Sequence, residues 1–350
     1  MSDSRFVITR PHPSSGLGSN LLSLVGALYL AERTGRRLIV DWTGIESLRD
    51  RSVNYFVAFF EPIRTWHDVD VVYVNDDDPR RTMRYAADDV FRLTSDHMAE
   101  ALDGKLDHPY LYLDDFHYFK VFRACVRSTP LERFRYTKEF YQALTPRPAL
   151  RARLDAARAT FAGDVVVALN VRMGNAHPTW RKGGHYANHV RQDVFERADF
   201  LARAYRACVD CVARLPREAW GPPRVLIVTD GAAMQRRLLT IPGAFAVRKR
   251  FPPSGMSLNF ADFDPAEYGE YSDVESVNET IVDMFLMADC AGLVCNYTQY
   301  NYYAQYVTTF FNGNLRHFEH YFENPVRSVA RRVLHWTQRR GLARSMAMKP

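Results

Sequence analysis

The sequence predicts two α/β halves, each a mostly parallel sheet with crossover helices. Three observations carry this expectation. Short β-rich apolar runs alternate with amphipathic helical stretches along most of the 350 residues. The chain opens on a strand–helix–strand unit with glycines in its first turn. The alternation stops at Thr145-Pro146-Arg147-Pro148, which reads as a linker, and then restarts.

In order, Phe6-Val7-Ile8-Thr9 is the first strand, and Pro11 to Gly18 is a Pro-, Ser- and Gly-rich loop. A helix is expected from about Asn20 to Thr34, with Leu21, Leu24, Val25, Leu28 and Ala31 at helical spacing. Gly35 caps its C-terminus. Leu38 to Asp41, Val71 to Val74 and Tyr110 to Leu113 are further strands. In the second half, Ala149 to Phe161 reads as a helix and Val165 to Leu169 as a strand. A long helix is expected from about Asp193 to Leu215, then the strand Val225 to Val228. A helix over Glu275 to Ala288, a strand over Gly292 to Cys295 and a helix over Tyr300 to Thr308 complete the pattern. The expected domains are residues 1–148, residues 149–323 and a basic amphipathic tail, 324–350.

Composition excludes several classes. Apolar residues make up 47% and charged residues 25%, as in globular chains. No apolar run approaches the roughly 20 residues that span a bilayer. The start, Met1-Ser2-Asp3-Ser4-Arg5, does not resemble a signal peptide. Five scattered cysteines suit a reducing compartment, so a cytoplasmic location is expected. Cys208 and Cys211 have CxxC spacing but sit mid-helix, with no second pair to close a zinc site, and read as buried thiols. The net charge is +6, yet residues 324–350 alone hold six Arg, one Lys and no acid, leaving −1 for the rest. Basicity thus belongs to the tail, and no basic stripe for nucleic acid marks the body.

Four segments could bind a ligand, and a fifth a metal ion. Gly16-Leu17-Gly18-Ser19-Asn20 opens a helix after a strand. Its glycines and free N–H groups suit phosphate, or simply a tight turn. Asn170-Val171-Arg172-Met173-Gly174-Asn175 leaves the carboxyl end of a strand, where a guanidinium beside a glycine suits a diphosphate. Thr229-Asp230 ends another strand and could cap a helix or bind a ligand. Asn296-Tyr297-Thr298-Gln299-Tyr300-Asn301 is a polar turn after the strand ending at Cys295, able to hold a base or phosphate. Asn75-Asp76-Asp77-Asp78 could bind Mn²⁺ or Mg²⁺ through carboxylates, or form a turn before Pro79.

This ordered set resembles the NodZ-type and core α-1,6-fucosyltransferase family. The carriers are the Gly-Leu-Gly helix start, Val-Arg-x-Gly-Asn, Thr-Asp after a strand, and Asp283 with Cys290-Ala291-Gly292-Leu293-Val294-Cys295. Phe59-Phe60-Glu61-Pro62 and Gly35 to Trp42 add to it, and the likeness spans most of residues 5–310.

The resemblance implies the GT-B fold, with two Rossmann-like domains facing a cleft. It implies inverting, metal-independent glycosyl transfer from GDP-fucose, and an oligosaccharide or lipid-linked glycan is the acceptor expected. It puts Arg172 on the donor diphosphate, and Gly174, Asn175, Thr229 and Asp230 in the nucleotide site. Asp283 is implied as a structural helix residue. Gly16, Gly18, Asn20, Thr298, Gln299 and Asn301 are further donor-site candidates. Asp273 and Glu275 are the leading bases for the acceptor hydroxyl, with His177 and His185 as second choices. Asn170, Met173 and Tyr302 depart from the family pattern. They keep another sugar nucleotide open as donor, and a non-catalytic glycan-binding protein stays open too. In the tail, Val326, Val329, Ala330 and Val333 fall on one helical face ringed by arginines. Such a helix could touch an anionic membrane or dock on its own protein.

Overall fold

A computed structural model describes residues 5–11, 17–43, 52–94, 96–113, 130–171, 192–215, 222–251, 273–295 and 315–317. These fall into two compact units that divide between Arg151 and Ala152.

The first unit contains β1 (Phe6–Thr9), α1 (Leu17–Thr34), β2 (Arg37–Val40), α2 (Tyr55–Phe59), β3 (Thr65–Trp66) and β4 (Val69–Tyr73). It continues with β5 (Val90–Leu93), α3 (Met98–Leu102), β6 (Tyr110–Leu113) and α4 (Pro130–Ala143). The strands form one sheet in the order β3-β4-β2-β1-β6-β5. Every pairing is parallel except the β3–β4 hairpin at the edge. The β1 strand lies centrally, with Ile8 opposite both Ile39 and Tyr112.

Helix α1 starts a turn before the expected Asn20. Leu17 and Leu21 are four residues apart and both buried, so packing carries the helix back to Leu17. It stops where expected. Gly35 takes φ +61°, and the Arg36 N–H donates to the Ala31 carbonyl at 2.9 Å, closing a Schellman-type end.

Helix α5 (Pro148–Ala159) begins on Pro148, as a first helical turn permits. Arg147 and Arg151 pair with Glu61 of the first unit, while Arg153 and Arg158 pair with Glu279 and Asp289 of the second. The second unit then holds β7 (Val166–Val171), α6 (Gln192–Glu196), α7 (Phe200–Val212), β8 (Arg224–Thr229) and α8 (Ala232–Leu238). It adds β9 (Ala244–Phe245), α9 (Asp273–Asp289), β10 (Gly292–Cys295) and β11 (Leu315–His317). Its sheet is parallel throughout, in the order β11-β10-β7-β8-β9.

Two expectations need correction here. The single helix from Asp193 to Leu215 is two helices, α6 and α7. Phe195 and Phe200 are both buried and pack edge to face, but five residues apart on one helix they would diverge by about 140°. A turn between them lets both reach the core. The strand expected over Val165–Leu169 runs on to Val171, because Asn170 and Val171 pair with Val228 and Thr229.

The thiols of Cys208 and Cys211 are fully buried among Val167, Leu169, Val225 and Ile227, as expected for helix-face cysteines. Burial pushes the Cys208 thiol well above the ordinary range.

Gly243 sets the turn into β9. It has φ +72°, and a Cβ there would lie 2.6 Å from the Pro223 carbonyl oxygen. The glycine carbonyl also accepts from the Val225 N–H at 2.9 Å. Gly243→Ala is therefore expected to cost about 2 kcal/mol, from left-handed strain plus displacement of rigid backbone. Urea denaturation would check this, and an unchanged midpoint would refute it.

Candidate functional site

In an open parallel sheet, ligands bind beyond the carboxyl ends of the strands, where the strand order reverses direction. In the second unit the chain moves from β7 to β8 and β9 on one side, and later places β10 and β11 on the other. The reversal therefore lies between β7 and β10, whose Asn170 and Cys295 face each other in register. Arg172 is the residue after Val171, the last of β7, and Asn296 follows Cys295, the last of β10. Two of the four sequence-predicted segments thus leave the sheet at its switch point. Arg172, Gly174, Asn175, Thr298, Gln299 and Asn301 lie outside the described residues, as do Gly16, His177, His185 and the tail 324–350.

Thr229 is described. It ends β8 opposite Val171, is 3% exposed, and its hydroxyl has no hydrogen-bond partner among the described residues. A buried hydroxyl left without a partner loses hydration with no compensation. The expectation that Thr229 caps a helix is corrected. The N-cap of α8 is Gly231, which has no side chain to give, and the Thr229 hydroxyl is not bonded to it. Asp230 follows, half-buried, at the same edge.

Asp273 and Glu275 were expected to lie before or at a helix start. They occupy the first turn of α9, where acids offset the positive end of the helix dipole. Helix α9 leads into β10 and runs back along the sheet, so its first turn lies toward the carboxyl edge. Their side chains lie outside the described residues. Gly18 and Asn20 are not loop residues. Both sit in the first turn of α1, in the other unit, and both are buried.

Asn170 is likewise interior. It is 3% exposed and its amide lies 3.3 Å from the Met287 sulphur on α9, so this departure is a packing position. Asp283 has the structural role implied for it. Its carboxylate holds Lys249 at 2.6 Å, both side chains being largely buried. Burial raises the Asp283 pKa above the usual carboxylate value, against the pull of Lys249. The Lys249 ammonium also lies 5.1 Å from the Phe251 ring.

The acidic triplet is held by arginines. Arg64 forks onto Asp76, whose side chain is fully buried, and also reaches Asp77 at 3.1 Å. Arg147 holds Asp77 at 2.8 Å, and Asp78 caps the turn Pro79–Arg81 through the Arg80 N–H. Among the described residues, no group of three or more His, Cys, Asp or Glu could hold a metal ion.

Sequence reasoning missed one polar cluster, in the first unit. Arg10 directly follows β1 and Asp41 directly follows β2. The Arg10 Nε lies 3.0 Å from Asp41 Oδ2 and 2.8 Å from the Tyr85 hydroxyl, which itself donates to Asp41 at 2.5 Å. Thr43 donates to the other Asp41 oxygen through its hydroxyl, at 2.5 Å, and its N–H. The only available sequence signal was an arginine and an aspartate, each ending a buried strand.

Residues 3–96 match the model of the family described as Nodulation protein Z (NodZ). Over 315 residues, 84% of this chain and 76% of the relative, the chain is 26% identical to Nodulation protein Z of Bradyrhizobium diazoefficiens. It is 26% identical over 308 residues to that of Sinorhizobium fredii, covering 83% of this chain and 86% of the relative. The chain is thus similar to NodZ proteins over most of its length. Its fold agrees with that of the fucosyltransferase NodZ from Bradyrhizobium, at a TM-score of 0.58 and 22% identity, covering 88% of this chain and 92% of the other. A NodZ α-1,6-fucosyltransferase crystallised with GDP aligns at the same TM-score and coverage. The two parallel sheets with their helices are those of the GT-B fold of these NodZ structures.

Proposed function

We propose that this NodZ-like chain transfers fucose from GDP-fucose to a glycan acceptor, with inversion and without a metal ion. One observation supports the reading above the others. The strands β7 and β10, which end just before Arg172 and Asn296, flank the switch point of the second sheet, and the adjoining β8 ends on Thr229, whose hydroxyl has no partner among the described residues. Relatives described as fucosyltransferases, one crystallised with GDP, add to it.

The chemistry follows from the charge that develops. Breaking the bond from the anomeric carbon to the diphosphate puts negative charge on the leaving group and oxocarbenium character on the sugar. A fixed guanidinium at Arg172 stabilises that separation more than it stabilises bound donor. Gly174 lets backbone approach the phosphates, while Asn175, Thr229, Asp230, Thr298, Gln299 and Asn301 offer hydrogen bonds to the nucleotide. Asp273 or Glu275 takes the proton from the acceptor hydroxyl as it attacks.

A nucleotide-release assay across GDP-fucose, GDP-mannose and UDP-sugars, run in EDTA, tests the reading. Release from GDP-fucose alone is expected. Release only from another donor would move the function, and abolition by EDTA would overturn metal independence.

The location belongs to the same proposal. Cys208, Cys211, Cys290 and Cys295 are all buried thiols outside any disulfide, which supports a reducing, cytoplasmic setting. The arginines of 324–350 support peripheral contact with an anionic membrane, suited to a lipid-linked acceptor. Sedimentation with anionic vesicles that weakens as salt rises is expected. Equal sedimentation by a chain truncated at residue 323 would refute the contact.

A further inference from the structure

We infer that Arg10, with Tyr85 and Tyr112, forms a subsite for a neutral saccharide in the first unit. This rests on the proposed glycosyl transfer and names where the acceptor is read.

Four observations lead to it. The first is position. The first sheet reverses its strand order between β1 and β6, since β2 to β4 lie on one side of β1 and β5 and β6 on the other. Arg10 is the first residue beyond β1, and Tyr112 is the penultimate residue of β6, so the two flank the switch point.

The second is unused capacity. The Arg10 Nε and one Nη2 hydrogen are taken by Asp41 and Tyr85. The remaining guanidinium hydrogens have no partner among the described residues, and the side chain stays 37% exposed. Those hydrogens point from a guanidinium whose orientation is already fixed, so a ligand meets little rotamer cost.

The third is charge. Asp41, its side chain 9% exposed, sits directly against Arg10 and cancels its charge. The cluster is close to neutral, which favours hydroxyls over an anionic group such as a uronate.

The fourth is shape. The Arg10 guanidinium carbon lies 5.2 Å from the Tyr85 ring centre and 5.4 Å from that of Tyr112. Tyr85 and Tyr112 pack with the apolar cluster of Phe6, Ile8 and Ile39 and remain partly exposed. Partly exposed rings beside directed N–H donors match the two faces of a sugar, one apolar and one hydroxylated.

The test is titration of the full chain with an N-acetylglucosamine tetramer, a mannose tetramer and a galacturonate tetramer, with GDP titrated separately. Arg10→Lys keeps the charge against Asp41 but loses the planar fork, and Tyr112→Leu removes a ring face at little cost in volume. At least one neutral tetramer is expected to bind, at least about tenfold more weakly to either variant. GDP affinity and the thermal midpoint are expected to hold. Equal binding of that tetramer by wild type and both variants would overturn the subsite. So would binding of none of the neutral tetramers, or preference for the galacturonate. Loss of GDP binding by the wild type would instead count against the proposed transfer reaction, leaving the saccharide result to stand alone.

Discussion

Arg172→Ala is expected to slow sugar transfer at least about 100-fold, as does removal of a single preorganised donor at a developing oxyanion. The argument starts at Val171. That residue is fully buried, pairs with Thr229, and ends β7 at the edge of the switch point. The next residue leaves the sheet where its order reverses. A fixed guanidinium on Arg172 would meet the charge of the leaving diphosphate with little reorganisation. Arg172→Lys is expected to recover part of the rate, because the charge remains while the bidentate fork does not. The measurement is kcat for GDP release with acceptor present, beside thermal midpoints for both variants. Near-wild-type turnover in Arg172→Ala would remove Arg172 from the mechanism.

Lys249→Met is expected to destabilise the second unit by about 3 kcal/mol, since it leaves the Asp283 carboxylate buried without its counter-ion. The pair has little access to water, with side-chain exposures of 9% for Lys249 and 14% for Asp283. Mutual attraction there offsets desolvation, and removing one partner exposes that cost. The pH dependence has a definite sign. Burial already raises the Asp283 pKa, and Lys249 is the main group pulling it down, with a smaller pull from Arg153. Without Lys249 the carboxyl rises further and enters the fold protonated at mildly acid pH. A raised carboxyl loses stability as pH climbs from its unfolded value through its folded value. The deficit of Lys249→Met should therefore shrink toward acid and be largest above the raised pKa. Pairing it with Asp283→Leu should recover most of the loss, because an apolar pair requires no counter-ion. Urea midpoints across pH decide it, and a pH-independent deficit would sink the account.

Much of the architecture was legible because it depends on local periodicity. Leu21, Leu24, Val25, Leu28 and Ala31 repeat at helical spacing whatever surrounds them, and Gly35 at φ +61° ends that helix for reasons internal to the chain. The runs Phe6–Thr9 and Gly292–Cys295 are apolar enough to demand burial on both faces, which a covered parallel sheet supplies. The order of the motifs carried the resemblance to the NodZ-type family, and with it the expectation for Arg172.

Other features were set by pairing between distant segments. The extension of β7 to Val171 depends on its register with β8, 58 positions on, which no local pattern records. The break between α6 and α7 depends on two phenylalanines sharing one core. The Asp76–Asp78 run looks like a metal site in sequence; Arg64 and Arg147 decide otherwise by occupying its carboxylates. Arg10, Asp41 and Tyr85 are spread over 75 positions, and only the parallel register of β1 with β2 brings their charges into contact. The sequence by itself determined the alternation of strands and helices, the helix stop at Gly35 and the family resemblance, because each is written in neighbouring residues. The tertiary structure alone decided which polar groups meet, because a hydrogen bond or ion pair is set by distance in space, and sheet order, not sequence order, governs that distance.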